Sequence, residues 1–303
     1  MAALFNRKWQ VTITTYGGQK YTITDPLRVT FETLKKIDRT SQVGQVTLYN
    51  LSPKIETDIL QNGAELALEA GYANGPYGVI FKGKIRQPLR GKEDGTTFFL
   101  TLYCLDADDA LNLGFCSFVM SNGQTAQQIA AQVARSSSVP FDIQIDVKND
   151  QKTQRGKVVF GKPKEVLRNI AKNNDCGFYF EDGTAKISIF SKPPTGDIPL
   201  INSRTGMIGT PTQTDQGIQF RTLMRPDIKI DSWVKLNNKD IQLAELEFGT
   251  MQTILDLDGL YRVIEITATG DSRGQDWYYN IGAVSQTGPL AQMLVGGADT
   301  GVS

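Results

Sequence analysis

Val11-Thr12-Ile13-Thr14 and Tyr21-Thr22-Ile23-Thr24 each set an apolar residue against a threonine at every second position. A period of two marks a β-strand with one face on a core. The alternation continues outward from there, through Val29-Thr30-Phe31 and Gln45-Val46-Thr47-Leu48-Tyr49. Leu66, Leu68, Ala70 and Tyr72 repeat it, Val79 to Ile85 forms another strand, and Phe98, Leu100, Leu102 and Cys104 alternate again. One short helix interrupts the strands. Ser52 is its expected N-cap, Pro53 suits the first helical position, Ile55 and Ile59 share a face, and Gly63 closes it. Residues 1–112 are therefore predicted to be a first β-barrel domain.

The pattern then changes period. Thr125-Ala126-Gln127-Gln128 is a capping box, and Ala126, Ile129, Ala130 and Val133 follow helical spacing. A second helix starts near Pro163, buries Val166, Leu167, Ile170 and Ala171, and ends before Gly177. Phe178 to Ile189 reads as a hairpin whose Asp182-Gly183 pair supplies the positive φ angles of a tight turn. Residues 113–196 are predicted to be a small α+β insert domain.

Strands return with Ile218-Gln219-Phe220-Arg221, Trp233-Val234-Lys235-Leu236, Tyr261 to Ile266 and Trp277 to Ile281. Residues 197–286 are predicted to be a second β-barrel domain, and 287–303 a flexible C-terminal tail. A shift of about 181 positions places Gly78 on Gly259, Ile85 on Ile266, Phe98 on Tyr279, Leu100 on Ile281 and Leu102 on Ala283. The fold class is thus mainly β, with two related β-barrel domains flanking a small α+β domain.

Composition narrows the chemistry. Lys+Arg and Asp+Glu are equal at 32 each, which argues against bulk electrostatic binding to nucleic acid or an anionic membrane. The start of the chain lacks the apolar core of a signal peptide, and no apolar run is long enough to span a bilayer. Cys104, Cys116 and Cys176 are too few and too far apart for a disulfide framework, and read as buried free thiols of a protein folded in a reducing cytosol. The chain has no histidine, so Ser-His and Cys-His nucleophilic pairs and most zinc sites are ruled out. No cofactor motif and no catalytic motif is present, and no catalytic, cofactor-binding or metal residue is assigned.

Charged clusters remain. Asp106, Asp108 and Asp109 follow a strand, and read either as a divalent metal site or as a solvated turn with helix-capping acids. Asp271 and Asp276 flank Arg273-Gly274 in the same way; a glycosidase would need two carboxyls ~5–10 Å apart. Lys82, Lys84 and Arg86 fall on one side of a strand, with Arg90 and Lys92 beyond it, and 148–172 is also rich in Lys and Arg. The two readings of these are nucleic-acid contact, or a solvated face or charged protein interface. The exposed aromatic and basic alternation of a single-strand binder is absent.

The stretch from Pro199 to Pro226, with Thr205-Gly206-Met207-Ile208-Gly209, Pro211, Gly217-Ile218 and the Leu223-Met224-Arg225-Pro226 turn, resembles a segment of baseplate hub proteins of contractile-tailed bacteriophages. Val46 to Ser52 resembles their early strand-to-helix joint. Leu167 to Ile189 resembles their helix-then-hairpin insert. Gly259 to Val263, with Gly270-Asp271 and Asp276-Trp277-Tyr278, resembles their final hairpin. Such hubs are similar to the base of secretion-system spike proteins.

The resemblance implies a structural subunit and no enzyme. It implies a homotrimer in which each chain brings two related barrels, so that six surround a channel and join a six-fold tail tube to a three-fold spike. Its implied partners are the central spike, the tail tube, the tape measure protein and neighbouring baseplate proteins. It implies DNA passing through the channel without specific binding, no membrane insertion, assembly in the host cytoplasm and a final place in the virion tail baseplate. Thr205–Gly209 and Gly217–Arg221 are expected to be a constrained loop and strand. The alternatives are another tail ring protein (a tube initiator or distal tail subunit), a carboxylate-dependent cell-wall glycan hydrolase and a nucleic-acid-binding module.

Overall fold

A computed structural model describes residue 4 and residues 6–37, 41–106, 114–139, 141–147, 151–174, 176–189, 197–214, 217–237 and 259–285. Asp108, Asp109, Lys148 and the tail expected after Gln286 lie outside the described residues.

The first seven strands are β1 (Arg7–Thr15), β2 (Lys20–Ile23), β3 (Val29–Lys36), β4 (Val43–Tyr49), β5 (Gly63–Tyr72), β6 (Tyr77–Lys92) and β7 (Phe98–Leu105), with α1 (Pro53–Asn62) between β4 and β5. Their alternation is real: Val11, Ile13, Leu66, Leu68, Leu100 and Leu102 all point into one core. Ser52 stands at the N-cap of α1, but its side chain makes no capping hydrogen bond; Pro53 removes one of the N–H groups that would need one. Gly63 ends the helix in extended rather than left-handed backbone. Its need for a bare Cα is steric, because a Cβ there would lie 2.6 Å from the Ile59 carbonyl oxygen.

The insert contains β8 (Cys116–Met120), α2 (Ala126–Ser136), β9 (Asp142–Ile145), β10 (Lys157–Gly161), α3 (Pro163–Asn173), β11 (Cys176–Glu181) and β12 (Thr184–Ile189). The capping box forms: the Gln128 N–H donates to Thr125 Oγ1 at 3.2 Å, and the Thr125 N–H donates to Gln128 Oε1 at 3.0 Å. Asp182 and Gly183 both have positive φ, 53° and 89°, as the β11–β12 turn requires. Two pairings escape the sequence reading. β8 and β10 form a separate antiparallel ribbon, and β9 joins β12 in parallel. Ile129, Val133, Leu167, Ile170, Phe180 and Ile187 close a second core around α2 and α3.

The last part contains β13 (Leu200–Ile201), β14 (Met207–Thr214), β15 (Gly217–Leu223), β16 (Trp233–Leu236), β17 (Leu260–Asp271) and β18 (Trp277–Ser285). These strands and the first seven form one thirteen-stranded sheet, in the order β14-β15-β18-β17-β3-β4-β7-β6-β5-β1-β2, with β16 on β17 and β13 on β16. Both expected barrel regions therefore share a single sheet, and among the described residues no pairing closes either half into a ring. The halves join because β17 is long. Its first residues pair with β16, and 265–271 of the same edge pair antiparallel with β3.

The two halves follow the same path. β3-β4-β7-β6-β5-β1 matches β14-β15-β18-β17-β16-β13 strand for strand, also in chain order; only the last pairing differs, antiparallel in the first half and parallel in the second. Each central hairpin has a bulge on its first strand, between Ile85 and Gln87 in β6 and between Val263 and Glu265 in β17. Matching the bulges sets the offset at 178 on the first strand and 179 on the second, which corrects the 181 suggested by sequence. Similar residues drew the sequence match, whereas a bulge shifts register by one residue and hairpin loop lengths differ.

Candidate assembly surfaces

Two buried polar joints fix the insert to the sheet. At the first, the β11–β12 turn enters between β3 and the end of β7. Lys35 Nζ lies 2.8 Å from Asp182 and 3.8 Å from Glu181, whose other oxygen is 2.6 Å from Lys186. The Gly183 N–H donates to Asp106 Oδ1 at 3.1 Å. Gln42 is fully buried; its amide donates to the carbonyls of Lys36 and Phe180, and its oxygen accepts from the Lys36 N–H. Asp106 is 3% exposed, and among the described residues its Oδ2 has no hydrogen-bond partner. Burial, and then the charge of Asp182, push its carboxyl up to about 7, against the pull of Lys35 and two backbone N–H groups.

At the second joint, Arg262 of β17 pairs with Asp231 and its guanidinium donates to Ser188 Oγ at 3.1 Å, while Ser188 donates to Asp231 at 2.5 Å. Tyr179 of β11 is buried in the main core rather than the insert's own core. Burial raises its hydroxyl far above the usual tyrosine range, and the charges of Asp231 and Glu181 add to the effect.

The charged residues picked from sequence are largely engaged within the chain. Asp271 receives Arg28 through both oxygens at 3.2 and 2.8 Å, and accepts from the Arg273 N–H at 2.9 Å. Burial works against its ionisation, but the bonds from Arg28 and from the Arg273 and Gly274 N–H groups outweigh it and hold the carboxyl low. Asp276 serves through its backbone, its carbonyl accepting from the Asp271 N–H. Arg90 pairs with Glu56 at 2.9 Å, a buried helix carboxylate that the sequence did not single out, and Lys92 lies over the Phe98 ring. Arg86 sits in the β6 bulge. Among the described residues, no three His, Cys, Asp or Glu side chains gather as a metal ion would require. All three cysteines are free and buried; burial pushes the Cys104 thiol up to about 12.

Thr205 and Gly206 close the turn before β14, Met207–Gly209 open β14, and Gly217–Arg221 lie in β15, all under backbone constraint. Thr205 Oγ1 donates to the Leu200 carbonyl and accepts from the Asn202 N–H. Gly217 has φ +140°, and a Cβ there would meet the Ala283 carbonyl oxygen at 2.3 Å.

The sheet order, its doubled path and the inserted α+β unit define the architecture with which known proteins are compared. A family model described as baseplate hub gp41 matches residues 10–241. The chain belongs to this baseplate hub family. It is therefore a phage tail or baseplate structural protein, and its place is the virion tail. The fold is similar to that of the 43 kDa tail protein of prophage MuSo2 from Shewanella oneidensis, at 11% identity and a TM-score of 0.60, covering 93% of this chain and 99% of that one. A tail protein from Neisseria meningitidis is similar at 12% identity and a TM-score of 0.58, over 93% of this chain and 97% of that one. An E. coli component of the type VI secretion system, itself described as similar to the T4 bacteriophage tail proteins gp27 and gp5, matches at 10% identity and a TM-score of 0.56, over 86% of this chain and 74% of that one. No curated protein sequence matches the chain.

Proposed function

We propose that the chain is a homotrimeric adaptor in the hub of a contractile tail, joining a six-fold tail tube to a three-fold central spike. The observation that carries this is the doubled strand path: six strands of one half recur in the same order in the other, each half with a bulged central hairpin. A chain holding two like units presents three-fold symmetry by chains and near six-fold symmetry by units. Each half is read as one barrel-type domain, 1–112 and 197–286, with 113–196 inserted between them. The role is mechanical and not catalytic. The tail tube, the tape measure protein and neighbouring baseplate proteins are its further partners, DNA passes through the ring without specific binding, and assembly takes place in the host cytoplasm.

The test is the mass of the purified protein, alone and mixed with its spike. A species near three times 33.4 kDa, or a three-to-three complex, is expected. A six-membered ring would assign the chain to a tube-initiator or distal tail role, and cell-wall clearing that single carboxylate variants abolish would make it a hydrolase.

A further inference from the structure

The insert carries an apolar surface that the described chain leaves uncovered. On the β8–β10 ribbon, Cys116, Phe118 and Val159 turn to the insert core and the alternate positions turn outward. The outward set is Phe115, Val119, Val158 and Phe160, the last three 75, 72 and 73% exposed. Val119 and Val158 are direct cross-strand partners, and the Phe115 and Phe160 rings meet edge-on with centroids 4.9 Å apart. Isolated exposed apolar residues are ordinary, but these four are adjacent and make one contiguous apolar surface. Among the described residues, both outer edges of this ribbon are also unpaired. An exposed apolar ribbon with free edges invites association, so its persistence argues for a dedicated cover.

Charge selects the partner. Lys152, Arg155 and Lys162 lie on the segments entering and leaving β10, and among the described residues none of them makes an ion pair. Residues 113–196 hold eleven Lys and Arg against seven Asp and Glu, whereas the rest of the chain holds 21 against 25. Leu89 and Tyr103 are also exposed, on β6 and β7, and Lys82 and Arg86 lie along the same β6 strand. Two copies pairing these faces would bring like charges together, which opposes self-association through them.

We propose that the outer face of the β8–β10 ribbon docks a different protein of the tail, one presenting an apolar strip flanked by Asp and Glu side chains. This rests on the reading of the chain as a hub, and it assigns the insert the task of gripping a neighbour.

The test uses two double variants of the full chain, Val158→Ser with Phe160→Ser and Arg155→Glu with Lys162→Glu. The two apolar side chains are about three-quarters exposed, so thermal unfolding of the serine variant stays at the wild-type value. Mass in solution reads the homo-oligomer and tests the adaptor role separately. Incorporation into purified tails, measured by quantitative immunoblot, reads docking. The expected result is an unchanged oligomer, with incorporation falling about tenfold or more in both variants, and a photo-cross-link from benzoylphenylalanine in place of Val158 to one other tail protein, at an acidic peptide. Wild-type incorporation of the serine variant would overturn the proposal, as would a cross-link to a second copy of the chain. So would flotation of the purified chain with phosphatidylglycerol vesicles that the serine variant loses.

Discussion

The Phe31 and Trp277 rings meet edge-on across the seam between the two halves of the sheet, with centroids 5.5 Å apart and planes at 70°. Phe31 lies on β3 of the first half and Trp277 opens β18 of the second. Gly270 makes room for the contact: a Cβ there would sit 2.2 Å from the Phe31 ring. Both aromatic side chains are buried, so the seam is part of the core rather than a hinge. Phe31→Ala is expected to lose about 3–5 kcal/mol of stability. Gly270→Ala is expected to lose about 1–3 kcal/mol by displacing the ring. Urea unfolding reads both, and a double cycle of Phe31 and Trp277 isolates a ring–ring coupling of about 0.5–1.5 kcal/mol.

The buried Asp106 carboxyl makes the joint between insert and sheet sensitive to pH. Its folded value, about 7, lies above the usual 3.8, so between those values the folded chain holds a proton that the unfolded chain has released. The stabilisation is complete below about 4 and is lost as pH rises through about 7. Melting temperature recorded from pH 4.5 to 8 should fall across that window in the wild type. Asp106→Asn keeps the acceptor for the Gly183 N–H and should flatten the profile.

Asp271 acts in the opposite direction. Its lowered value means a stabilisation that is present above about 3.8 and lost as pH falls through the folded value. Arg28 is about a third exposed, so solvent screens the pair and its contribution is about 1 kcal/mol at most. Asp271→Asn should lower the melting temperature at pH 7, and its deficit against the wild type should shrink as pH falls below 3.8 and the wild-type carboxylate takes up its proton.

The Arg262–Asp231 pair is far less exposed, and removing one partner strands the other charge. Asp231→Ala should destabilise by about 3–5 kcal/mol. The loss should be local as well as global: hydrogen exchange of β11 and β12 should accelerate more than that of β4 and β7, because Ser188 and Tyr179 lose the group that anchors them.

The local grammar of the chain was legible before any fold was known. The Val11-Thr12-Ile13-Thr14 alternation, the Thr125–Gln128 capping box and the Asp182-Gly183 turn each depend on residues within a few positions of one another, and each forms as read. The resemblance carried by Pro199–Pro226 also pointed to the baseplate hub family to which the chain belongs. The candidate surfaces were less legible. Val119, Val158 and Phe160 carry no signal of exposure in the sequence, and only the structure shows them on the outward side of the β8–β10 ribbon. The Asp106 and Asp271 clusters read as turns, with a metal site as the lesser alternative, because a sequence does not show that Lys35 sits beside one and Arg28 grips the other.

The sequence by itself marked β1–β7, the three helices, the β11–β12 hairpin and β15–β18, though not β8–β10, β13 or β14, since side-chain period and turn stereochemistry act within one segment. Only the tertiary structure decided that β3 pairs with β17, that bulges at Arg86 and Ile264 set the true offset between the halves, and that the insert locks to the sheet through Lys35, Asp106, Asp231 and Arg262. Those outcomes depend on backbone edges and charges brought together from more than two hundred residues apart along the chain in the case of the β3–β17 seam. An edge N–H or C=O is the same in every residue, so the choice of partner falls to the packing of whole faces, such as Phe31 over Gly270 against Trp277.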